Sequence, residues 1–149
     1  MKQGWLLCVD ATKTGDVTRS AIVWSYDKIG ASTATVAIAD GLVYAVGYYG
    51  TLHCLDAETG QVYWTHEVGG PASGSPLVAD GKVYLGTVRQ TFWIFQAGKE
   101  KKVLAEIRMP DKIYASATAA NGVVYIPTFR FLYAVAEPAV PKAPPGVSQ

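Results

Sequence analysis

The chain has 149 residues, carries 13 Lys+Arg against 12 Asp+Glu for a formal net charge of +1, and is half hydrophobic. That composition excludes a disordered segment and gives no electrostatic footprint for a nucleic-acid partner. No apolar run approaches the ~18 to 20 residues of a membrane-spanning helix, and two cysteines are too few for a disulfide-built scaffold.

In chain order, the β-branched and aromatic runs predict strands over 5–10 and 22–26, then 33–39, 42–47, 51–56 and 62–67. Four more are expected over 75–79, 82–87, 92–96 and 102–108, and a last three over 116–120, 123–126 and 132–136. No window holds a 3.6-residue apolar period, so no helix is expected. These strands fall into units. Ala39-Asp40-Gly41 returns as Ala79-Asp80-Gly81 and as Ala120-Asn121-Gly122, at offsets of 40 and 41 residues. Each Asp-Gly or Asn-Gly pair supplies the two positive φ angles of a tight hairpin. A second block, Cys54-Leu55-Asp56-Ala57-Glu58-Thr59-Gly60, matches a stretched copy from Cys8 to Gly15, and Trp64 and Trp24 close the two blocks. A period near 40 residues is the length of a four-stranded propeller blade. The expected division is a partial blade over 4–31, blades over 32–70 and 71–112, and a partial blade over 113–136. Residues 137–149, with four prolines, read as a solvated tail.

At these residues the chain resembles the pyrroloquinoline-quinone (PQQ) type of propeller repeat, shared by bacterial quinoprotein dehydrogenases and BamB-like outer-membrane assembly lipoproteins. The motif is Cys54, Asp56, Thr59, Gly60 and Trp64, with Cys8, Asp10, Thr14, Gly15 and Trp24 as its first copy. The third copy keeps Gly98 but has neither the Asp nor the Trp. The resemblance implies an all-β, partial β-propeller of four-stranded antiparallel blades. It also implies that Trp24 and Trp64 wedge between blades and hydrogen-bond to the next blade's backbone, with Asp10, Asp56, Thr59 and Gly60 building the turns that receive them. Relatives of this repeat mostly work outside the cytoplasm. An extracytoplasmic parent is therefore expected, although this chain shows no export signal.

Candidate chemistry is sparse. Cys8 and Cys54 hold equivalent places on neighbouring blades, too far apart for a disulfide, and are expected as buried thiols. His53 and His66 lack any metal-ligand spacing, and turn chemistry accounts for the Asp10 and Asp56 carboxylates. Where the repeats differ is more informative. The turns between second and third strands carry Tyr48 and Tyr49, then Arg89 and Gln90, then Phe129 and Arg130. Turn geometry does not demand these types, whereas aromatics and Arg are enriched at binding hot spots. These six are the candidate binding residues.

Three functions remain open on these residues. The first is a non-catalytic propeller segment that presents loops to another protein or a polymer. The second is a fragment of a PQQ-dependent dehydrogenase, which would bring the quinone and a calcium ion. The third is a sensor propeller of a signalling protein. The chain lacks adjacent cysteines and an acidic cluster, so no catalytic residue, metal or cofactor is expected in it. Thirteen strands are too few to close a ring, and exposed sheet edges template association. The expected neighbours are therefore the remainder of a longer propeller or copies of the same chain.

Overall fold

The computed structural model describes residues 4–137, so the proline-rich stretch falls, except for Glu137, outside the described residues. Thirteen strands and no helix occur among them. They are β1 (Leu6–Val9), β2 (Ile22–Tyr26), β3 (Ala37–Ala39), β4 (Leu42–Val46), β5 (Thr51–Asp56), β6 (Val62–Glu67) and β7 (Leu77–Ala79). The chain continues with β8 (Lys82–Gly86), β9 (Thr91–Gln96), β10 (Val103–Arg108), β11 (Thr118–Ala120), β12 (Val123–Pro127) and β13 (Leu132–Ala136). Antiparallel neighbours join them into four sheets in sequence order: β1-β2, β3-β4-β5-β6, β7-β8-β9-β10 and β11-β12-β13. The fold is all-β, a partial β-propeller with two four-stranded blades flanked by a two-stranded and a three-stranded sheet.

The hairpins follow from the repeat. Asp40, Asp80 and Asn121 have φ of 50°, 49° and 53°, each followed by a glycine at positive φ. Short polar side chains tolerate this left-handed region, which lets first and second strands join through two residues. The innermost strands start later than their apolar runs suggest: β3 begins at Ala37, β7 at Leu77 and β11 at Thr118. The preceding residues are committed to the next blade instead. Thr35 donates its backbone N–H (2.9 Å) and hydroxyl (2.7 Å) to Ser75 Oγ, and Ser75 N–H donates to Ser116 Oγ at 2.7 Å. A backbone group bonded to a neighbouring blade's hydroxyl is not available to its own ladder.

The core lies between sheets. Tyr44, Leu52, Cys54 and Trp64 of the second sheet pack against Val83, Leu85, Trp93 and Phe95 of the third. All five residues of β4 are buried, because sheets cover both its faces. Only Tyr133 of β13 is even half-buried, since β13 has cover on one side alone.

Tryptophan and turn meet across the first two gaps. Trp24 Nε1 donates to Ala57 O at 3.0 Å, and its ring lies over Gly60. Trp64 Nε1 donates to Gly98 O at 2.9 Å, and its ring stacks on Phe95 with centroids 5.8 Å apart. The receiving turn is rigid: Asp56 Oδ1 accepts from the N–H groups of Glu58 and Thr59 and from the Thr59 hydroxyl, each at 3.0 Å. Tyr63 donates its hydroxyl to Asp56 Oδ2 at 2.8 Å. That bond from Tyr63, with those from Thr59, holds the Asp56 carboxyl below its ordinary pKa. Asp10 does the same work in the first copy, accepting from Thr12 N–H and hydroxyl. Trp93, which the motif does not mark, is a third cross-blade donor, to Val68 O at 3.1 Å.

Candidate docking surface

The turns between second and third strands share one backbone clamp. Tyr48 N–H donates to Ala31 O (2.7 Å), Val88 N–H to Pro71 O (2.9 Å) and Phe129 N–H to Lys112 O (2.8 Å). Each turn is thus tied to the linker entering its own blade, so the clamp repeats while the side chains vary. Rigid loops of this kind lose little entropy when they bind.

On the first turn Tyr48 and Tyr49 pack edge to face at 5.6 Å, and Tyr49 is 61% exposed. On the second, the stem of Arg89 lies over Gly70. Gln90 sits at φ 68° where the preceding repeat has Gly50, a left-handed conformation rare for such a side chain. Arg108 supports it, donating to Arg89 O at 2.6 Å and to Gln90 Oε1 at 2.7 Å. On the third, Phe129 is 72% exposed and meets Tyr114 edge to face at 6.1 Å. Arg130 Nε donates to Asp111 Oδ2 at 2.9 Å, and its guanidinium lies 5.6 Å from the Phe131 ring. The hydrogen bond from Arg130 holds the Asp111 carboxyl below its ordinary pKa.

The six candidates therefore lie on one end of the sheets, in three clusters rather than one pocket. Tyr114, Phe131, Arg108 and Asp111 join them, and of these the sequence singles out only Phe131, within the Phe129-Arg130-Phe131 turn. The other three come from linkers and from β10, which only the fold brings near.

The remaining chemistry-bearing residues are elsewhere. Cys8 and Cys54 are both thiols. Cys54 lies 3.7 Å from Gly98 O, and burial pushes its thiol up to about 11. Among the described residues no three His, Cys, Asp or Glu side chains gather as metal ligands.

His53 is buried, and its Nδ1 lies 3.0 Å from Tyr26 Oη. His66 meets Trp93 and Phe95 edge to face at 4.7 and 5.0 Å. The Nε2 atoms of both are buried without a partner, and burial lowers the pKa of both from 6.5. The native state therefore binds fewer protons than the unfolded chain as pH falls through 6.5, so stability drops on acidification. The denaturant midpoint should fall between pH 7.5 and 5.5. Replacing both histidines by Gln should flatten that slope.

The sequence model of a family described as outer membrane protein assembly factor BamB matches residues 2–126. BamB of Yersinia pestis is 37% identical over 60 residues, 40% of this chain and 14% of that protein. The crystal structure of BamB from Moraxella catarrhalis superposes with a TM-score of 0.67 at 21% identity, covering 78% of this chain and 37% of that one. A quinohemoprotein alcohol dehydrogenase from Pseudomonas putida HK5 superposes at 0.58 with 23% identity, covering 68% of this chain and 17% of that enzyme. At these identities the two structures speak to the fold alone, and this chain spans well under half of each relative. With four consecutive sheets, the first three joined by tryptophan-to-turn contacts, and a family match over residues 2–126, the chain belongs to the family of the outer membrane protein assembly factor BamB.

Proposed function

We propose that this chain is part of a non-catalytic, extracytoplasmic propeller scaffold whose second-to-third-strand turns dock another protein. One observation carries the reading. The backbone clamp is the same in three blades, yet it presents Tyr48–Tyr49, Arg89–Gln90 and Phe129–Arg130, with Tyr49 and Phe129 left largely exposed. Solvated turns have no need of exposed aromatics, whereas hot spots are enriched in them. The assembly-factor name of the relatives supports a protein partner within an envelope complex. No cofactor is assigned to this chain. The open faces of the terminal sheets, with Trp5 and Leu7 at one end and Leu132 at the other exposed, fit cover by further blades.

A photo-crosslinking amino acid at Tyr49 or Phe129, in cells producing the full gene product, should yield discrete protein adducts. The same group at Glu58, on the opposite end of the blade, should not. Equal adducts at all three positions, or none, would overturn the reading. The dehydrogenase alternative has its own check. PQQ with calcium should leave the protein without dye-linked alcohol oxidation, and turnover would reverse the assignment.

A further inference from the structure

Thr51 pairs with Glu67 at the end of β6, and the equivalent pair at the end of β10 is Thr91 with Arg108. The charge at this position therefore reverses from one blade to the next. Glu67 accepts from the Thr51 hydroxyl at 2.7 Å, whereas Arg108 spends its bonds on the carbonyl of Arg89 and the amide oxygen of Gln90. Both acceptors are neutral, so the guanidinium is held in place with its charge uncompensated and its other N–H groups free. Arg89 lies on the same turn, and Lys112 on the linker bonded to it; all three cations are exposed. Among the described residues the ion pairs are Lys82–Asp80 and Arg130–Asp111, which leaves Arg89, Arg108 and Lys112 without a carboxylate. Such a gathering of like charge works against the compact state, and an anionic ligand relieves it.

Backbone bonds make the cations part of one surface with the exposed aromatics. Met109 N–H donates to Gln90 O at 2.8 Å and Ile113 N–H to Thr87 O at 3.2 Å, while Phe129 N–H donates to Lys112 O. The linker thus joins the second turn to the third. On the other flank the stem of Arg89 lies over Gly70, whose carbonyl sits against Gly50 of the first turn. We propose that Arg89, Arg108 and Lys112 form the carboxylate-binding centre of this end, and that the partner supplies a short acidic segment with apolar residues beside it. The proposal rests on the reading of these turns as a docking surface. Arginine forks match carboxylates in two-bond geometry, and Tyr49 on one side with Tyr114 and Phe129 on the other would take the apolar flanks. A nucleic acid or an anionic membrane calls for a broad basic face. Here the field is local, bounded by Glu67 and Glu106 and by Asp111, which is committed to Arg130.

Crosslinking in cells producing the full gene product, with the photo-reactive residue at Phe129 or Tyr49, tests this. Arg89→Glu reverses a charge without removing the Arg108 bonds to the turn, and it should lower the adduct about tenfold. Arg89→Lys should keep most of it. Lys112→Glu should weaken it in the same direction, and Lys102→Glu, the same change at the opposite end of the blade, should not. Unfolding midpoints of the Arg89→Glu and Lys102→Glu proteins should agree. The crosslinked peptide of the partner should carry Asp or Glu, and replacing those by Lys should restore the adduct to Arg89→Glu. A full-strength adduct in both Arg89→Glu and Lys112→Glu would overturn the acidic segment while leaving the docking turns standing. No adduct in the parent would remove both. Binding of the purified product to phosphatidylglycerol vesicles, lost in Arg89→Glu, would also overturn the proposal, by assigning the cations to a lipid surface.

Discussion

Trp64→Ala should lower the stability of the chain by about 3 to 5 kcal/mol, the usual range for deleting a large buried aromatic. The side chain is 7% exposed, stacks on Phe95 and tilts against Tyr44 at 6.0 Å. Its loss would open a void between the second and third sheets and remove a donor from Gly98 O. Trp64→Phe keeps much of the apolar area and drops the N–H, so it should cost less, with about 1 kcal/mol assigned to the hydrogen bond. Denaturant unfolding separates the two. An unchanged midpoint in Trp64→Ala would mean that the indole does not join the blades.

Gly60→Ala should be the second costly change, at about 2 to 5 kcal/mol. Gly60 has φ of 72°, and a Cβ there would lie 2.7 Å from Trp24 Cδ2 and Cε3. Left-handed backbone costs a residue with a Cβ roughly 1 to 2 kcal/mol, and overpacking adds about 1 to 3. Gly81→Ala is the matched control, because its φ is 64° but a Cβ there meets nothing within 4 Å. Gly81→Ala should therefore show the backbone cost alone. In a Trp24→Ala background, the cost of Gly60→Ala should fall toward that of the control. Additive losses would show that the ring and the turn do not touch.

Much of this fold is legible in the sequence because its signals are local. A positive-φ pair such as Asp40-Gly41 and the alternation of Thr51–Asp56 depend on near neighbours, and a 40-residue period repeats them. The start of β3 was not legible. Thr35 lies in an apolar-compatible run, and only the next blade's Ser75 shows where its N–H goes. Trp93 was missed as a cross-blade donor for a similar reason. Motif spacing marks the tryptophan of a fourth strand, whereas Trp93 lies on a third and reaches Val68 O.

The candidate surface was half legible. Deviating turns gave Tyr49 and Phe129, but the Asp111–Arg130 and Arg108–Gln90 pairs join segments 18 or 19 residues apart.

The exchange rates of the four indole N–H protons test the central claim, that tryptophans lock successive blades together. Trp24, Trp64 and Trp93 donate to carbonyls of other segments, whereas Trp5 is 56% exposed. In deuterated buffer the Trp5 indole proton should exchange fastest, and the other three should be protected, with Trp64 and Trp93 the slowest. Four protons exchanging at one common fast rate would contradict the blade-to-blade docking on which the whole architecture rests.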